Sequence, residues 1–111
     1  MCSSDLAHFD GVQLEQLRVA PDVVARAWAE APADLRSALE VAASRIRSYH
    51  EAQRDAAGEA AWADAGIAVT ELVRPVARAG LYVPGGRAEY PSTVLMTAIP
   101  ARVAGVGALA L

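Results

Sequence analysis

The spacing of apolar residues changes character along the chain. Leu35, Leu39, Ala42, Ala43 and Ile46 recur at steps of three and four, the signature of one apolar helix face. They predict a helix from Ala33 to Arg54, with Arg36, Glu40, Arg47 and Glu51 on the solvent side, where Arg36 with Glu40 and Arg47 with Glu51 are spaced as i, i+4 ion pairs. A shorter helix over Asp22–Glu30 precedes it. Pro21 suits a first helical position, Asp22 favours the positive helix start, and Pro32 separates the two helices. Beyond Gly58 the period falls to two. Trp62–Asp64 reads as a short strand, Ala65-Gly66 as a turn and Ile67–Val73 as the returning strand. Pro75 keeps Arg74 out of helical geometry, and Ala77–Val83 forms a third strand ending at Pro84-Gly85-Gly86. Pro91 and Ser92 open another helix, with Val94, Leu95, Ala98 and Ile99 facing inward, and Pro100 kinks it or begins a second one. Gly105–Leu111 reads as the approach to a further buried strand.

This order predicts an α/β fold, with N-terminal helices followed by part of an incomplete Rossmann-like sheet that contains a strand-turn-helix. At 111 residues there is room for one ordinary domain. An apolar fraction of 54% is globular in character, but alanine supplies much of it and aromatics only 5%, so each buried side chain removes little surface from water. A net charge of −3 with scattered arginines argues against a nucleic-acid surface. The apolar run near Val103–Leu111 is too short to span a bilayer, and the N-terminus lacks a secretory pattern, so the expectation is no membrane and a cytoplasmic location. Cys2 has no partner that would activate its thiol.

Residues 1–6, Met1-Cys-Ser-Ser-Asp-Leu6, follow neither period and read as a translated sequencing-adapter string after an initiator codon, so they are expected to be a non-native leader. Residues 7–111 are then expected to be part of a larger domain, a helical segment over 7–58 and the start of an α/β nucleotide-binding domain over 59–111. An edge strand without its neighbours exposes unpaired backbone, so the half-sheet is expected to be marginal or aggregation-prone alone.

A glycine turn between a strand and a helix can bring main-chain N–H groups close to a phosphate. Here that turn belongs to a longer pattern: Arg74-Pro-Val76, Gly80-Leu-Tyr-Val-Pro-Gly-Gly86, Tyr90-Pro-Ser-Thr-Val-Leu-Met96 and Ile99-Pro-Ala-Arg-Val-Ala-Gly105. Together with Phe9-Asp-Gly-Val12 and Ile46-Arg-Ser-Tyr-His-Glu-Ala-Gln53 upstream, it resembles histidinol dehydrogenase over nearly all of residues 7–111. The family often places Ser where Thr93 stands, a conservative departure.

The resemblance implies a fragment of a zinc-dependent homodimer that oxidises L-histidinol to L-histidine through an aldehyde with two NAD+, the last step of histidine biosynthesis. It also implies that the catalytic Glu-His pair and the zinc ligands, Gln, His, Asp and His, lie later in the whole enzyme. No catalytic or metal-binding residue is therefore expected in this chain, and the fragment is expected to be inactive. His8 and His50 have no partner set at ligand spacing. One position carries over: the family's NAD-contacting tyrosine stands here as Tyr82, whose phenol can offer a hydroxyl to a ribose or phosphate while its ring packs on the sheet. The same residue also reads as a half-buried strand tyrosine without a ligand. Pro84, Gly85 and Gly86 shape the loop near the cofactor or simply make a turn needing positive φ. His50 reads as a surface or capping histidine, Trp28 and Trp62 as core or interface anchors, and Asp10-Gly11 as a turn. Two rival readings are a non-catalytic nucleotide- or phosphate-binding α/β module, which would have a natural stop and a paired last strand, and a helical interaction domain, which would need an exposed apolar groove.

Overall fold

The computed structural model describes residues 11, 18–58, 60–85 and 88–111. The elements placed at residues 1–10 by sequence, with Cys2 and His8 among them, and Gly86 lie outside the described residues. The chain divides into two compact units, Met1–Arg36 and Ser37–Leu111.

In the first unit, helix α1 (Pro21–Glu30) has Pro21 at its start and Asp22 in its first turn. The acid pairs with Arg26 one turn later, at 3.4 Å. Pro32 ends this helix in a simple way, because the residue before a proline is pushed out of helical geometry. Ala31 accordingly sits at φ −62°, ψ 141° while its N–H still donates to the Ala27 carbonyl oxygen. Helix α2 (Ala33–Ala56) begins at once and runs two residues past its expected end. Its apolar face, Leu39, Ala42, Ala43 and Ile46, is half-buried, whereas Leu35 is exposed.

The charged face of α2 differs from expectation, since neither Arg36–Glu40 nor Arg47–Glu51 forms an ion pair. Arg36 instead donates to the Ala29 carbonyl oxygen at 3.2 Å, one of the carbonyls left open at the end of α1. Orientation contributes as well: an acid placed N-terminal to its base is the better i, i+4 order, and Asp22–Arg26 has it while the two expected pairs reverse it.

The second unit holds two separate pairs of strands. β1 (Ala61–Asp64) and β2 (Ile67–Thr70) form an antiparallel hairpin in which Trp62 faces Val69 and Asp64 faces Ile67. Its two-residue turn has positive φ at both Ala65 (48°) and Gly66 (80°), the type I′ geometry that matches strand twist. β2 is shorter than the expected Ile67–Val73 because β1 offers only four residues to pair with, plus the bond from Glu71 N–H to the Ala60 carbonyl oxygen. Every residue of the hairpin is exposed.

β3 (Arg78–Gly80) pairs in parallel with β4 (Ala108–Ala110), so Gly105–Leu111 does contain the expected strand. Between them runs helix α3 (Pro91–Val103). Strand, helix, parallel strand is the βαβ unit from which α/β sheets are built, and the mixture of helices with small sheets confirms the α/β class. Pro100 does not begin a second helix: α3 continues through it to Val103. The proline removes one backbone donor, but Ile99 and Val103, one turn apart and both buried, hold the last turn in place. With Val106 they are the buried apolar residues among those described.

The helix then stops in a Schellman motif. The Val106 N–H donates to the Ala101 carbonyl oxygen at 3.0 Å and the Gly105 N–H to that of Arg102 at 3.1 Å, with Gly105 at φ +94°. Arg102 seals the exit by donating to the carbonyl oxygens of Val106 and Gly107. Trp28 and Trp62 are not core residues, being 45% and 57% exposed, because no described layer covers them. No helix among the described residues is long and apolar enough to cross a membrane.

Candidate functional site

The Tyr82 segment is positioned by the βαβ unit. Beyond β3 the chain stays extended for another residue, as the Leu81 N–H donates to the Ala110 carbonyl oxygen at 2.7 Å. Strand alternation continues through it: Ala79, Leu81 and Val83 are half-buried, while Arg78, Gly80, Tyr82 and Pro84 are exposed. The expected strand Ala77–Val83 is thus a three-residue ladder with an extended tail, limited by the length of β4. Tyr82 lies in that tail and is 82% exposed, so its ring does not pack on the sheet. Its phenol is open to a ligand from solvent.

The turn differs from the simplest reading. Gly85 has no positive φ, and a Cβ built at Gly80 or Gly85 would meet nothing within 4 Å. Neither glycine is required by the packing of the described residues, so the space above both is open to an approaching group. The turn leads into α3, where Tyr90 is the N-cap without a side-chain cap bond and Pro91 takes the first helical position. Ser92 lies inside the helix and does not cap it. Pro91 has no N–H and the Thr93 N–H donates to the Tyr90 carbonyl oxygen at 3.0 Å, which leaves the Ser92 N–H as the donor of this helix start without a helical partner.

Arg78 was not singled out by sequence, although strand alternation alone places it on the face of Gly80 and Tyr82. It lines a shallow cavity of about 210 Å³ with Ala79, Gly80, Ala108, Leu109 and Ala110. His50 lies elsewhere, late on α2, where its Nδ1 is 2.9 Å from Gln53 Oε1 and its ring meets Tyr49 edge-on. Among the described residues no cluster of His, Cys, Asp or Glu could hold a metal ion.

The family model of histidinol dehydrogenase matches residues 4–111. The chain belongs to the histidinol dehydrogenase family. It is 54% identical over 99 residues to the histidinol dehydrogenase of Dehalococcoides mccartyi (strain CBDB1), covering 88% of this chain and 22% of that protein. To the enzyme of Caulobacter vibrioides it is 50% identical over 106 residues, 93% of this chain and 24% of that one. The fold agrees: the crystal structure of histidinol dehydrogenase from Elizabethkingia anophelis superposes with a TM-score of 0.82 at 32% identity, over 96% of this chain and 24% of that chain. The chain therefore spans about a quarter of the length of the histidinol dehydrogenases it matches.

Proposed function

We propose that this chain works as part of an NAD-dependent, zinc-dependent dehydrogenase that oxidises L-histidinol to L-histidine through L-histidinal, the last step of histidine biosynthesis. The observation that supports it is the joint likeness in sequence and fold over residues 4–111. In this reading residues 7–58 are a helical segment and residues 59–111 begin a Rossmann-like nucleotide-binding domain. The whole enzyme is a cytoplasmic homodimer.

Tyr82 is the NAD contact in this reading, donating its exposed hydroxyl to the cofactor's ribose or phosphate, with Pro84–Gly86 shaping the loop beside it. Bound NAD supplies the hydride acceptor. The open positions at Gly80 and Gly85 fit a cofactor that approaches the backbone. The described residues do not fit zinc, because they offer no donor cluster; its ligands and the Glu-His pair belong to the rest of the enzyme. The chain by itself is inactive.

The test is a full-length chimera in which this chain replaces the matched segment of the Dehalococcoides mccartyi enzyme. It should form NADH from L-histidinol, and Tyr82→Phe should raise the KM for NAD about 3- to 10-fold, the loss of one hydrogen bond, with the KM for L-histidinol unchanged. A folded chimera that forms no NADH counts against the proposal. One observation favours the second reading, a non-catalytic nucleotide-binding module: the last strand is paired, β4 with β3. Micromolar NAD binding by the 111-residue chain alone, measured by calorimetry, would put that reading first.

A further inference from the structure

We draw no further inference here: the strongest candidate, the exposed apolar patch that Trp62, Ile67 and Val69 form on one face of the β1–β2 hairpin, carries none because nothing in the structure shows what covers it.

Discussion

The hairpin β1–β2 and the β3–α3–β4 unit are both two-stranded, yet they are held by different means. In the hairpin all partners are local, every residue is exposed, and the type I′ turn is the main organiser. In the βαβ unit the strands meet only across a whole helix, and Ile99, Val103 and Val106 are buried. Local turn chemistry suffices to set a register, but burial is needed to hold strands that are distant in sequence. An isolated two-stranded ribbon is marginal in water, so the hairpin is the weaker of the two.

Ile99→Ala should break the contrast most severely. A cavity at a 7% exposed position costs about 2–4 kcal/mol, whereas Val69→Ala, at 54% exposure in the hairpin, should cost under about 1 kcal/mol. Urea unfolding followed by far-UV circular dichroism compares them, and equal costs would remove the distinction. Next comes Gly105→Ala, expected to cost about 1–2 kcal/mol, since φ is +94° and the new Cβ would lie 3.4 Å from Pro75 Cγ. The same unfolding curve reads it. Ala65→Asn should act in the opposite sense, stabilising the hairpin by about 0.5–1 kcal/mol because asparagine tolerates the φ of 48° better than alanine. Slower hydrogen exchange at the hairpin amides would show it, with those of β3 and β4 unaffected. Asp22→Ala should have the smallest effect, about 0.5 kcal/mol confined to α1, from the loss of an exposed pair and of an acid at the helix start.

The elements bounded by proline and glycine were legible in the sequence. Pro21, Pro32, Gly66 and Pro91 act through φ limits that depend only on neighbours, and the structure starts or ends elements at each. Strand lengths were not legible, because Ala77–Val83 has strand-like residues throughout but only as much ladder as Ala108–Ala110 can pair. Pro100 misleads for a similar reason: its local cost is outweighed by burial of Ile99 and Val103 on either side. At the candidate site, the turn was legible from Pro84 and its glycines, whereas Tyr82 was singled out only through the family pattern. The exposure of Tyr82, and the companionship of Arg78 and Gly80 on its face, required knowing where the strand alternation falls.

The helix between β3 and β4 also sets an order of events during synthesis. The hairpin can close within microseconds once Thr70 has left the ribosome. β3 emerges soon after with its pairing edge vacant, and it stays so while α3 is made and until Ala108–Ala110 follows. During that interval an exposed strand awaits its partner, the moment at which a chaperone or a wrong neighbour has its best chance to bind.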